Sequence, residues 1–270
     1  MKSASHLFAL ASLARARRSS LTRAIALANE LILASLVPVE PSEFALFHPD
    51  CDFTDDTVCS VAVADALLTE PDFAGSLRSF VRRRRVVFKL GIVGGCTRLW
   101  QLGQRRVTAL GWLARGEAEA LTSAAAQAEV SHNHPDAVAG AQAVALAILL
   151  ARRGLPRPVF RASIAEAFGY DLAPERALAG GGFDVSVAGT VPPALTCAFE
   201  ADDWESAVRS AVCPGGDTDT LACIGGAVAE AIHGLAPEIA KTARSYLTHD
   251  LRAVVERFEA ALDLPSRTGI

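Results

Sequence analysis

The apolar positions of this chain recur mainly at three- and four-residue intervals, the spacing of one face of an α-helix, and strand-like alternation is scarce. Gly and Pro clusters near residues 154–158, 180–182, 192–193 and 214–216 are expected to separate the helices. The pattern predicts an all-α fold. Its helical segments are expected at residues 56–68, 118–128, 135–152, 163–168, 204–212, 220–233 and 237–262.

The length of 270 residues suits one domain, and we find no internal repeat. We expect a divergent N-terminal segment over residues 1–37, which need not be ordered, and a helical domain over residues 38–270. Residues 1–29 contain arginines and serines but no acidic residue, a composition that fits either a transit peptide or an ordinary basic helix. The longest uncharged apolar stretch there, residues 31–39, is too short to cross a bilayer, so no membrane span is expected.

Composition narrows the classes of function. Hydrophobic residues make up 51% and charged residues 21%, which is typical of a globular protein. A net charge of −4 argues against nucleic acid as the main partner. The six cysteines include no Cys-x-x-Cys pair, so reduced thiols in a cytoplasmic protein are expected. We also expect the protein to be a monomer.

Two acidic clusters carry the candidate chemistry. The first comprises Thr54, Asp55 and Asp56, and the second Asp217, Asp219 and Thr220; each opens a predicted helix. Neighbouring carboxylates repel each other unless a proton or a cation lies between them. Helix capping on a solvated surface would explain one such cluster, but a metal site explains two. Oxygen-only ligands select Mg²⁺, Mn²⁺ or Ca²⁺, and we predict that the clusters meet around two divalent cations.

Competing motifs fit less well. A calcium loop of the EF-hand type starting at Asp217 would require Gly and Glu where Ala222 and Val228 stand. An aspartyl-phosphate hydrolase would place its nucleophile after a buried strand, which is not predicted here. The small residues of the 220–233 segment predict a central helix that another backbone approaches closely. The four arginines at 82–85 indicate a solvated basic face more than an anion site.

Several separated motifs in the same order resemble the ADP-ribosylglycohydrolase family, which includes the dinitrogenase-reductase-activating glycohydrolases. They are residues 38–40, 53–57, 131–141 (SHNHPDAVAGA), 189–194 (GTVPPA) and 215–220. The resemblance implies a single-domain orthogonal helical bundle with two Mg²⁺ or Mn²⁺ ions. It also implies hydrolysis of the bond between ADP-ribose and an ADP-ribosylated protein, or of a small ADP-ribose conjugate.

The resemblance also assigns roles to individual residues of this sequence. The implied metal ligands are Thr54, Asp55, Asp56, Asp217, Asp219 and Thr220. The implied catalytic residues are Glu40, Asp55, Asp56 and Asp219, and the implied substrate-binding residues are His132, Gly140 and Arg106. A solvated loop carboxylate is the alternative for Glu40, and a helix start or packed histidine is the alternative for the segment around His132.

The chain departs from the family pattern in two places. Ile32 and Leu33 stand where the family has Gly and Asp, and residues 100–105 do not match the family's substrate-cradling Gly-rich loop, of which only Arg106 agrees. The alternative function is therefore a catalytically impaired relative that binds ADP-ribose or is structural. A metal phosphohydrolase is a third, weaker hypothesis.

Overall fold

The structure, a computed structural model, describes residues 46–47, 55–84, 104, 106–131, 133–179, 184, 186–213 and 217–263, without the side chains of Asp55, Arg84, Asp219 and Asp263. Within these residues there are twelve helices and no strand, and the predicted all-α fold is confirmed. The helices are α1 Asp55–Leu68, α2 Phe73–Arg84, α3 Thr108–Leu113, α4 Glu117–Glu129, α5 Pro135–Arg152, α6 Arg157–Phe168, α7 Pro174–Ala177, α8 Val187–Glu200, α9 Trp204–Val212, α10 Thr218–His233, α11 Pro237–Ser245 and α12 His249–Asp263.

Six of the predicted segments are confirmed as single helices, namely α1, α4, α5, α6, α9 and α10. Helix α6 begins earlier than predicted, because Pro158 lies in its first turn, where a missing N–H costs no helical hydrogen bond. Four helices, α2, α3, α7 and α8, were not predicted. Two of them have only six and four residues, too short to show a helical period.

The prediction of one helix over residues 237–262 is wrong, because the chain divides there into α11 and α12. The N–H of Leu247 bonds to the carbonyl of Arg244 at 3.1 Å, which closes a tight turn, and the Leu247 side chain is buried. The carbonyl of Thr248 then accepts the N–H of Arg252 at 3.0 Å, the first bond of the next helix. The hydroxyl of Thr248 donates to Oδ1 of Asp250 at 2.8 Å, and α12 begins at His249, so the tight turn at Leu247 separates the two helices.

The expectation that Pro192 and Pro193 interrupt helical structure is also wrong, since both lie inside α8. Two prolines remove two backbone donors from the helix, at a cost of about 3 kcal/mol each in a helix interior. Ten of the 14 residues of α8 are buried. Burial of a large apolar side chain contributes about 1.5–3 kcal/mol, so packing offsets the lost hydrogen bonds.

Helix α10 lies in the core, as its small residues predict, and it packs against α5, α8 and α9. A Cβ atom on Gly225 would lie 3.1 Å from the carbonyl oxygen of Ala194 in α8, so glycine permits the close approach of these two helices. The indole Nε1 of Trp204 in α9 donates to the carbonyl of Gly226 at 3.1 Å. The helix that begins at the second acidic cluster is therefore held on three sides.

Helix α5 is the other central helix, and it contacts α3, α4, α6, α8 and α10. Of the described helices it alone is long and apolar enough to cross a membrane by length and composition, and 67% of it is buried inside the protein. Its Arg152 donates through Nε to the carbonyl of Gly111 at 2.9 Å and through Nη2 to that of Ala114. Packing inside the protein therefore accounts for its apolar composition.

Helix α1, which opens at the first acidic cluster, packs against α2, α3 and α12. Near its C-terminal end the carboxylate of Asp65 pairs with the guanidinium of Arg257 in α12. Since α3 also contacts α5, and α5 contacts α10, the two helices that begin at the acidic clusters are connected through shared neighbours.

Candidate functional site

The first acidic cluster lies at the start of α1. The side chain of Asp56 is 1% exposed, and the polar side chains of Thr57 and Ser60 are buried with it. Burying a carboxylate costs free energy unless hydrogen bonds or a positive charge compensate it. The helix N-terminus supplies part of that compensation. Thr54 and the side chain of Asp55 lie outside the described residues.

The second cluster lies at the start of α10. Asp217 is the N-cap residue, and its Oδ2 accepts a hydrogen bond from Oγ1 of Thr220 at 2.6 Å. Thr220 is fully buried. A hydroxyl oxygen has two lone pairs besides the proton that it donates, so donation to the carboxylate is compatible with metal ligation. The side chain of Asp219 lies outside the described residues.

The chemistry of these donors fits a hard divalent cation, since carboxylate and hydroxyl oxygens are the ligands that Mg²⁺ and Mn²⁺ prefer. Among the side chains that the structure describes, no group of three or more His, Cys, Asp or Glu residues could hold a metal ion. A complete site would require Asp55 and Asp219, which are not among those side chains. Convergence of the two clusters therefore stays a prediction.

Arg106 is buried, with 2% of its surface exposed, and it connects two segments of the site. Its Nε donates to Oε1 of Gln127 at 2.6 Å, and its Nη2 donates to the Gln127 carbonyl at 3.1 Å and to Oγ of Ser131. These acceptors are neutral groups at the C-terminal end of α4 and just beyond it. Only Nη1 remains outside these bonds, so the substrate-binding role predicted for Arg106 is restricted to that nitrogen.

Burial lowers the pKa of the Arg106 guanidinium, and a negative charge on Cys59 in α1 would oppose that shift. Arg106 is hydrogen-bonded to Ser131, the residue before His132. His132 itself lies outside the described residues, as does Glu40, and the roles predicted for both stay predictions.

Gly140 lies on α5, where it allows two side chains to approach closely. A Cβ atom there would lie 2.7 Å from Cγ1 of Val187 and 2.9 Å from Cγ of Gln104. The space beside Gly140 is therefore filled by protein atoms, and its predicted contact with substrate stays a prediction. The sequence did not single out Gln104, because nothing in its local pattern indicates burial.

Two smaller predictions can be compared with the structure. His134 is the N-cap residue of α5, and its Nδ1 accepts the N–H of Asp136 at 3.3 Å, so a helix start at His134 and Pro135 is confirmed. Arg82 and Arg83 are exposed, in agreement with a solvated basic face.

Comparison with known proteins gives the same family as the motifs. The sequence profile of the family described as ADP-ribosylglycohydrolase matches residues 12–268, and the match begins inside the segment that the sequence sets apart as divergent. No curated protein matches. A solved structure titled "ADP-ribosylglycohydrolase-related protein complex" is similar in fold, with a TM-score of 0.59, 20% identity, and coverage of 87% of this chain and 95% of that chain. The chain therefore belongs to the ADP-ribosylglycohydrolase family, whose name denotes a glycosyl hydrolase.

Proposed function

We propose that this protein is a metal-dependent hydrolase that removes ADP-ribose from modified protein side chains or from small ADP-ribose conjugates, and that it acts in the cytoplasm as a monomer. The observation that carries the proposal is the family match over residues 12–268, together with oxygen donors at the starts of both α1 and α10. The cytoplasmic location is proposed from the sequence, whose six cysteines include no Cys-x-x-Cys pair and no dense framework spacing.

The ligands we propose for two Mg²⁺ or Mn²⁺ ions are Thr54, Asp55, Asp56, Asp217, Asp219 and Thr220. When bound, such ions polarise a water molecule and orient the hydroxyl groups of a sugar. The buried Asp56 carboxylate contributes negative charge beside a developing oxocarbenium ion. The hydrogen bond from Thr220 to Asp217 fixes the orientation of both groups before substrate arrives.

The test is release of ADP-ribose from peptides that carry ADP-ribosylated arginine or serine, with the purified protein and Mg²⁺ or Mn²⁺. We expect Asp56→Asn to reduce turnover at least about 100-fold, because one electrostatic group at a transition state typically contributes that much. Asp65→Asn is the matched control, since Asp65 lies on the same helix, toward its C-terminal end, and pairs with Arg257. Its turnover is expected to equal that of the wild type.

A second readout does not depend on turnover. Mn²⁺ at about 100 times its dissociation constant is expected to stabilise the wild type by about 2.7 kcal/mol, and to stabilise Asp56→Asn much less. Metal binding without ADP-ribose release would favour the impaired relative, and release of inorganic phosphate from simple phosphoesters would favour the phosphohydrolase. Equal turnover in Asp56→Asn and the wild type contradicts the proposal.

A further inference from the structure

Helix α2 carries three exposed arginines, Arg78, Arg82 and Arg83, which we call the basic face of α2. None of the three forms a hydrogen bond or an ion pair with a residue that the structure describes, and Arg83 lies over the ring of Phe80, with its Cζ 5.8 Å from the ring centroid. Like charges one helical turn apart repel each other. The helix dipole favours cations only in the last turn, so it does not account for Arg78.

The other side of α2 holds the helix on the protein. Phe73, Leu77 and Phe80 recur at four- and three-residue spacing and are buried. This side packs where α2 meets α1. Arg78 and Arg82 lie about 100–140° around the helix from Leu77, so they point away from the packed side. The basic face is therefore open to a partner along the outside of α2.

The register between α1 and α2 brings the basic face level with the first acidic cluster. Residues 69–72 connect the two helices, and so short a connection makes the pair antiparallel. Oγ of Ser76 donates to the carbonyl of Ala62 at 2.7 Å. Six residues back from Ala62 is Asp56, and six residues on from Ser76 is Arg82. Arg82 thus lies within about one turn of the level of Asp56, beside the end of α1 that opens the proposed metal site.

Charge indicates what kind of partner fits the basic face. The whole chain has a net charge of −4, so most of its surface repels an acidic segment, whereas this face attracts one. The diphosphate of ADP-ribose fits less well, because the outer side of α2 lies about 13–16 Å from the axis of α1. A partner that extends outward from the reaction centre is therefore favoured over a group held inside it.

We propose that the basic face of α2 binds acidic residues of the ADP-ribosylated protein, on the stretch of chain beside the modified side chain. This inference rests on the proposed function, which puts the reaction at the acidic clusters. An extended peptide spans about 3.3 Å per residue, so acidic residues about four to six positions from the modified one reach Arg78 and Arg82. The face selects among modified proteins, while the metal site acts on the ADP-ribose group that they share.

The test measures kcat/KM for release of ADP-ribose from three peptides that carry ADP-ribosylated arginine or serine, whichever the protein hydrolyses. The peptides differ only at the positions expected to reach the basic face, on both sides of the modified residue, which are Glu, Gln or Lys. We expect the wild type to prefer the Glu peptide over the Gln peptide by about 10-fold, and the Lys peptide to react most slowly. Added salt should reduce this preference, because it screens exposed charges.

Three variants assign the preference to the basic face. Arg78→Gln with Arg82→Gln is expected to lower kcat/KM for the Glu peptide to that for the Gln peptide. Arg78→Glu with Arg82→Glu is expected to make the Lys peptide react fastest, a reversal that loss of folding cannot produce. Arg115→Gln with Arg153→Gln is the matched control, since it removes the same charge from exposed side chains after α3 and at the end of α5. It should keep the wild-type preference.

Equal kcat/KM for the three peptides in the wild type overturns the inference, and the proposed function still stands because ADP-ribose is released. A preference that the charge-reversed variant keeps, or that the control loses, overturns it as well. Equal slowing of a small ADP-ribose conjugate would instead assign the arginines to the ADP-ribose group. Tighter binding of single-stranded DNA, or a dimer that the variant loses, would identify another partner and contradict the inference. If the wild type hydrolyses no peptide, both proposals fall together.

Discussion

Replacing Arg106 by methionine tests the network that joins α4 to the loop before α3. Methionine keeps most of the apolar stem and removes the guanidinium. Its three hydrogen bonds, two to Gln127 and one to Ser131, are lost. Gln127 stays buried while its donor disappears, which is the costly way to break a buried interaction, whereas the exposed Ser131 can turn to water.

The expected loss of stability is about 2–4 kcal/mol. A hydrogen bond from a charged donor contributes about 1.5–3 kcal/mol, so three bonds set an upper limit well above this range. Burial of the guanidinium, which is 2% exposed, costs free energy that the variant recovers. The net effect is therefore smaller than the sum of the bonds, yet large for a single substitution.

Urea unfolding followed by circular dichroism measures the effect. Arg153→Met is the control, because the Arg153 side chain is exposed and, among the described residues, donates one hydrogen bond, to the carbonyl of Arg115, so a loss below about 1 kcal/mol is expected. A double-mutant cycle with Gln127→Leu should give a coupling energy of at least about 1 kcal/mol. A loss below about 1 kcal/mol in Arg106→Met, or a coupling energy near zero, would refute the assignment of this network.

Three further substitutions test other parts of the fold. Gly111→Ala is expected to cost about 2 kcal/mol or more in urea unfolding, because the new Cβ would lie 2.6 Å from Cβ of Ile148; a neutral effect would contradict this packing. Burial lowers the pKa of His233 below 6.5, so its contribution to the free energy of unfolding is complete above pH 6.5 and is lost as the pH falls below that value. His233→Gln should therefore lose less stability on acidification than the wild type, and an equally steep loss in the variant would contradict this role of His233. Tyr170→Phe should raise the unfolding free energy by about 1 kcal/mol, since the buried hydroxyl makes no hydrogen bond within the part of the chain that the structure describes, whereas a loss of stability would indicate a partner.

Most of the fold follows from apolar spacing, and the two wrong predictions, at α8 and at residues 237–262, concern places where tertiary packing decides the structure. Proline rules describe an isolated helix, but α8 is buried along most of its length, so tertiary packing outweighs two missing donors. The break between α11 and α12 depends on Leu247 being buried, and burial of one side chain is not visible in a sequence period. Helices were therefore predictable where their own residues determine them, and were not where packing against other helices determines them.

The residues of the candidate site also fall into two groups, those that the local sequence pattern predicts and those whose surroundings depend on distant helices. The bond from Thr220 to Asp217 joins residues three apart at a helix start, so local pattern was enough to select them. Arg106 and Gln104 owe their surroundings to α4, α5 and α8, which are distant in sequence. No motif within a few residues encodes which side chains meet across helices, and the environment of these two residues could not be predicted.

The pairing of Asp65 with Arg257 has a consequence for synthesis of the chain. The two residues are 192 positions apart, and α1 packs directly against α12. During translation, the helix that opens at the first acidic cluster therefore emerges long before its C-terminal neighbour exists. Such long-range contacts form slowly, and a nascent α1 exposes apolar surface in the meantime. The first half of the proposed metal site thus reaches its final setting only after the chain as far as α12 has left the ribosome.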